Sequence, residues 1–127
     1  LKDVLIVRGR NHYPHDIERT MEAADPNLRA GCGVAVSVPA DSGELVVLIQ
    51  EIVEDSCSEP ERLVEKIRRR VSERHGISVD AVVLVEPSSV PKTTSGKLRR
   101  STAAQAFRTG GLRVVHEWIA TAASNDR

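Results

Sequence analysis

The chain has 127 residues with 18 basic and 18 acidic side chains, so its formal net charge is zero, which speaks against nucleic acid as a main partner. With only Tyr13, Phe107 and Trp118 as aromatics, it also lacks a stacking platform for single strands. The length suits one domain burying roughly two-thirds of its surface. No apolar run reaches membrane-spanning length and the start, Leu1-Lys2-Asp3, lacks signal-peptide form, so a cytoplasmic location is expected.

Residues 2–7 read as a strand, and Arg8-Gly9-Arg10 as a tight turn into Asn11-His12-Tyr13, together a short N-terminal two-stranded hairpin. Pro14 begins a helix over about 14–25, with Ile17 and Met21 facing inward and Asp16 and Glu18 in the first turn, where the helix dipole favours anions. Asp25-Pro26-Asn27 ends it. Cys32, Val34, Val36 and Val38 then alternate with Gly33, Ala35 and Ser37, a strand whose small-residue face invites close approach by a helix. After the turn Pro39–Gly43, the nearly continuous apolar run Leu45–Val53 predicts a second strand, paired antiparallel with the first.

Ser58-Glu59-Pro60-Glu61 has the form of a capping box with proline early in the helix. That helix is expected to run to His75 and stop at Gly76, with Leu63, Val64, Ile67 and Val71 as its buried stripe. Its outer faces carry Lys66, Arg68, Arg69, Arg70 and Arg74, either a solvated surface or a docking patch for an acidic partner. Val79–Val85 is a third strand, followed by a helix over 96–108 that Gly110-Gly111 breaks. The spacing of Val115, Trp118, Ile119 and Ala122 predicts a last amphipathic helix over about 112–123. These elements predict an α+β fold: a small three-stranded central sheet flanked by helices, plus the N-terminal hairpin. Cys32 and Cys57 lack metal-ligand spacing and are expected as unbridged thiols; no metal ligands are read in the chain.

Between the third strand and its helix lies Val90-Pro91-Lys92-Thr93-Thr94-Ser95-Gly96-Lys97-Leu98-Arg99-Arg100. Pro91 stiffens its start, Gly96 lets its middle turn, and Thr94 or Ser95 can cap the following helix. A cation at a helix start gains nothing from the dipole, so Lys97 is better explained by an anion it must reach. This is no NTPase loop: Pro91 stands where a phosphate loop needs its first glycine, and Leu98 where it needs Ser or Thr for magnesium.

Pro91-Lys92-Thr93-x-Ser95-Gly96-Lys97-Leu98-x-Arg100 resembles the last core motif of the adenylate-forming superfamily: acyl-CoA synthetases, peptide-synthetase adenylation domains and luciferases. Lys2-Asp3-x-x-Ile6-x-x-Gly9-x-x-x-x-Pro14-x-Asp16-Ile17-Glu18 resembles the motif that follows that superfamily's interdomain hinge, whose hinge residue would precede Leu1. With His12 for the usual Ile and Asp16 for the usual Glu, the string Gly9-Arg10-Asn11-His12-x-Pro14-x-Asp16-Ile17-Glu18 is similar to the fatty acyl-AMP ligases. The resemblance covers essentially the whole chain. It implies that residues 1–127 are a mobile C-terminal lid on a large N-terminal domain, which lies outside this chain and holds most of the ATP, Mg2+ and fatty-acid sites.

By position, Lys97 is the implied catalytic lysine of adenylation. Gly9, Arg10 and Asn11, with Lys92, Thr94, Ser95 and Gly96, are the implied substrate- and cofactor-contacting residues. Asn11 and His12 either satisfy their own turn or line the path of an incoming thiol. The implied acceptor is the phosphopantetheine thiol of an acyl carrier protein or of a polyketide synthase carrier domain. A long-chain acyl-CoA synthetase lid and a non-catalytic carrier-docking module are the alternatives. The 127 residues alone are expected to be inactive.

Overall fold

A computed structural model describes residues 4–41, 43–53, 58–91 and 95–120. Strands β1 (Leu5–Val7) and β2 (Arg10–His12) form the N-terminal hairpin, pairing Val7 with Arg10. Its two-residue turn has φ +53° at Arg8 and +77° at Gly9, and two left-handed residues match the natural twist of a tight hairpin. Helix α1 (Pro14–Glu22) starts on proline at its first position and ends three residues before the expected boundary. Asp16 lies in its first turn, but Glu18 does not: it points inward and is buried.

Strands β3 (Leu28–Ala40) and β4 (Gly43–Ile52) form the expected antiparallel pair, with a register shift between Leu28 and Gly33. Gly31 at φ +75° sits in that irregularity, and the Gln50 side-chain amide donates to the Arg29 carbonyl at 2.8 Å, satisfying backbone that the ladder leaves out. Helix α2 (Pro60–His75) carries the chain across to β5 (Ala81–Val85), which runs parallel to β4. No capping box forms: Glu59 is the cap residue and its side chain makes no capping hydrogen bond, because proline at the first helical position sets the start one residue beyond Ser58. The other end is as expected, with Gly76 left-handed at φ +67°. Helix α3 spans Gly96–Thr109 and stops at left-handed Gly110.

The chain then departs from the expected last helix. Val114–Ile119 is strand β6, antiparallel to β5, so the central sheet has four strands, ordered β3-β4-β5-β6, instead of three. Val114, Val115 and Ile119 are β-branched, and pairing with the open side of β5 satisfies backbone groups that a short surface helix would leave to water. Trp118 still packs on the core and lies under the Arg68 guanidinium, 3.8 Å from its ring centre, but Val115 and Ile119 are exposed; Ala122 lies outside the described residues. The α+β class and the hairpin are as read from the sequence.

Two apolar layers sandwich the sheet. On one face Ile17 and Met21 of α1 and Leu63, Ile67 and Val71 of α2 pack on Ala35, Leu48, Val82 and Leu84. On the other, Ala103 of α3 and Val90 pack on Val34, Val36, Ile49 and Val83. Covered on both sides, β5 and the Leu45–Ile49 part of β4 read as unbroken apolar runs. The small-residue face of β3 meets α1: a Cβ at Gly33 would collide with the side chains of Gln50 and Met21.

Candidate functional site

The site is built around the start of α3. Ser95 is its cap, and the hydroxyl accepts the Leu98 N–H at 3.2 Å, choosing between the two capping candidates. Gly96 and Lys97 therefore occupy the first two helical positions. Gly96 is not left-handed and opens the helix, so its own backbone does not require a glycine. What it supplies is room, since a Cβ there would lie 3.3 Å from Arg100 Nη1. Lys97 is exposed, and no ion pair reaches it among the described residues. No acidic residue stands in the first turn of α3, so the amine is not drawn into a local carboxylate. It lines a groove of about 200 Å3 with Val4, Leu5, Ala35, Val36 and Arg100.

Arg100 is treated oppositely. Its Nε donates to Glu18 Oε2 at 2.7 Å and its Nη2 to Glu18 Oε1 at 2.9 Å, and the same carboxylate accepts the Ala35 N–H at 2.9 Å. The neighbouring β3 N–H, that of Gly33, is taken by Glu22 at 3.3 Å. On the sheet's far side Glu51, with no exposure, accepts the N–H groups of Ser88 and Val90, each at 2.8 Å, and pairs with Arg29 at 3.0 Å. Two buried carboxylates thus grip the chain at Val90 and at Arg100, on either side of Lys97.

Lys92 and Thr94 lie outside the described residues. Gly9, Arg10 and Asn11 are exposed at the tip and second strand of the hairpin, and no described hydrogen bond or ion pair joins them to Lys97. Lys97 instead shares its groove with Val4 and Leu5 at the base of the hairpin, and the Glu18–Arg100 pair joins the two motifs. Neither Glu18 nor Glu51 was picked out as a site residue. Glu18 sits between the inward-facing Ile17 and Met21 in the sequence, and Glu51 interrupts an otherwise apolar strand; a charge inside a buried pattern was the available signal.

The basic run on α2 is partly consumed within the domain. Arg68 stacks on Trp118, Lys66 pairs with Asp25 at 2.6 Å, and Arg69 lies 3.7 Å from Glu65. Arg70 and Arg74 instead line a groove with Arg19 and His75 between α1 and α2. There the Thr20 hydroxyl donates to the Asp16 carbonyl at 3.1 Å and lies 2.7 Å from His75 Nε2. Burial holds the His75 imidazole below its ordinary pKa of 6.5, helped by His12 and Arg74 and opposed by Asp16. The Lys66 ammonium and then the Asn27 N–H hold the Asp25 carboxyl below its ordinary value. Among the described residues no group of three or more His, Cys, Asp or Glu is arranged to hold a metal ion, and no helix is long and apolar enough to cross a membrane.

Residues 2–117 match the family described as Disco-interacting protein 2-like, AMP domain. The chain is 40% identical over 114 residues to the medium-chain-fatty-acid–[acyl-carrier-protein] ligase JamA of Moorena producens, a match covering 88% of this chain and 19% of that protein. It is 41% identical over 114 residues to the putative fatty-acid–CoA ligase FadD21 of Mycobacterium tuberculosis, covering 85% of this chain and 19% of that one. The fatty acid AMP ligase from Legionella pneumophila superposes with a TM-score of 0.74 at 26% identity, covering 85% of this chain and 19% of that structure. The chain thus spans about a fifth of the length of the curated relatives it matches.

Proposed function

This chain belongs to the adenylate-forming superfamily, in the group described as Disco-interacting protein 2-like AMP domains, and from that premise we propose that it is the mobile C-terminal domain of a fatty acyl-AMP ligase. In this reading a fatty-acid carboxylate attacks the α-phosphorus of ATP, a new P–O bond forms, and the bond to pyrophosphate breaks. Negative charge spreads over the phosphoryl oxygens, and catalysis of this kind is mostly positioning and charge stabilisation. Lys97 supplies the cation. The observation that carries the reading is its setting: an exposed amine at a capped helix start, with no carboxylate partner among the described residues, beside an arginine already neutralised by Glu18. A slender ammonium fits between carboxylate and phosphate where a planar guanidinium would be harder to thread.

ATP brings magnesium, which neutralises phosphate oxygens. The described residues offer it no cluster of ligands, so no step here is assigned to it. After adenylation the domain turns and presents the surface around Gly9 to a phosphopantetheine thiol on a carrier protein. Gly9 has no Cβ to hold that chain off, and nothing lies within 4 Å of where one would stand.

The test uses the full-length ligase that carries this domain. Lys97→Ala is expected to lower adenylation, read by ATP–pyrophosphate exchange, by about a hundredfold or more, while transfer from preformed acyl-adenylate persists. Adenylation near wild type would remove Lys97 from this role. The names of the relatives divide on the acceptor, one a carrier-protein ligase and one a putative coenzyme A ligase. We expect a loaded carrier to accept the acyl group and free coenzyme A to fail; the reverse result makes the enzyme an acyl-CoA synthetase. The 127 residues alone are expected to show no ATP–pyrophosphate exchange.

A further inference from the structure

We propose that Glu18 is a positioning residue for Lys97, acting through Arg100. The inference rests on the reading of Lys97 as the adenylation cation, and adds that its aim is set by a carboxylate on another helix.

Helix α3 is poorly equipped to hold its own start. It fully buries only Ala103, and its first residues include the cations Lys97, Arg99 and Arg100 where the helix dipole favours anions. Beyond the Ser95 cap, Glu18 fixes that end with three acceptor contacts. Two go to Arg100 as a planar fork, at 2.7 and 2.9 Å, and the third takes the Ala35 N–H of β3 at 2.9 Å. The carboxylate is therefore anchored to the sheet before it grips the helix. A bidentate pair fixes orientation as well as distance, which a lysine or a single hydrogen bond would not. The pair is almost completely desolvated, with side chains 13% and 6% exposed.

Arg100 lies three residues after Lys97, so the two are neighbours on the helix surface and line the same groove. Clamping Arg100 fixes the turn from which the Lys97 stem departs. Gly96 belongs to the same device, because any larger residue would press on the Arg100 guanidinium. The clamp also settles a competition. An unpaired Arg100 would offer a second cation to any anion entering the groove; with Glu18 in place, Lys97 is the unpaired cation among the described residues that line it. Buried ion pairs of this kind are weak contributors to stability compared with apolar side chains of the same shape, so geometry is the better reason for one here.

The experiment compares Glu18→Gln, Lys97→Ala and the double variant in the full-length ligase. Adenylation is followed by ATP–pyrophosphate exchange, and thiol transfer separately from synthetic acyl-adenylate. Glu18→Gln is expected to lower kcat for adenylation about ten- to a hundredfold with KM for ATP unchanged. Transfer should be unaffected, and in the Lys97→Ala background the same substitution should cost nothing further. A merely loosened domain would lose both half-reactions and would weaken Lys97→Ala again; that pattern overturns the proposal, as does normal adenylation by Glu18→Gln. If Lys97→Ala is impaired and Glu18→Gln is not, positioning fails alone; if Lys97→Ala adenylates normally, both readings fall. Should Glu18→Gln not fold, Arg100→Lys, which keeps the charge and loses the fork, is judged by the same assays.

Discussion

Glu51 on β4 accepts the backbone N–H of Val90 across 2.8 Å, at a point in the sheet closed to solvent. Because Val90 is the last core residue before the segment that carries Lys97, this bond sets where that segment leaves the sheet. Glu51→Gln keeps the shape but turns one acceptor oxygen into a donor facing donors. Together with the loss of the negative charge that pairs with Arg29, this is expected to destabilise the domain by about 3 kcal/mol. Urea unfolding of the two proteins measures it, and a loss under about 1 kcal/mol would mean the carboxylate is not the anchor.

Gly33 is required by packing, not by backbone angle. A methyl group there would press on Met21 and Gln50, and Gly33→Ala is expected to cost about 1–3 kcal/mol, typical of an overpacked core. Met21→Ala should relieve part of that loss, so the double variant should be less destabilised than the sum of the singles. Strict additivity in urea unfolding would contradict the contact.

Two groups shape the acid side of the stability profile. His75 is held below its ordinary pKa of 6.5, so the folded state binds its proton less readily than the unfolded chain. Its contribution is complete above that value and is lost as pH falls through the folded pKa; His75→Gln should flatten the melting-temperature profile below pH 6.5. The Asp25 carboxyl is held below 3.8 by Lys66, so its share persists to lower pH and disappears only beneath that value. An unchanged slope below pH 6.5 in His75→Gln would refute the first assignment.

In the proposed reading, Gly9 separates the two half-reactions from the other side. At φ +77° an alanine costs roughly 1 kcal/mol of backbone strain, too little to unfold the domain. If the hairpin tip receives the thiol arm, Gly9→Ala slows transfer while ATP–pyrophosphate exchange stays near wild type. Equal loss of both would point to a general structural defect.

Much of this architecture was legible where local chemistry decides it. Gly76 and Gly110 end their helices because only a left-handed residue closes those turns, and both were read in advance. The alternation from Cys32 to Val38 gave β3, including the close helix on its small-residue face. Strand β6 was misread because Val115, Trp118 and Ile119 fit a helical spacing as well as a strand, and only the open side of β5, remote in sequence, breaks the tie. Lys97 stands out from its motif alone, and the structure places it exposed at the start of α3. Glu18 and Glu51 were missed for a different reason: their partners, Arg100 and Val90, lie far along the chain, and a lone acidic residue in a helix or strand looks like surface until those partners are in place.

The carboxylates of Glu18 and Glu22 occupy the N–H groups that β3 turns outward at Ala35 and Gly33. A bare border strand is a template on which a foreign segment can add itself, the usual route to tangled oligomers and fibres. Here that border is sealed along these positions by α1's own acids. In the proposed reading, where the domain swings against a larger partner, this seal keeps it from sticking to what it passes.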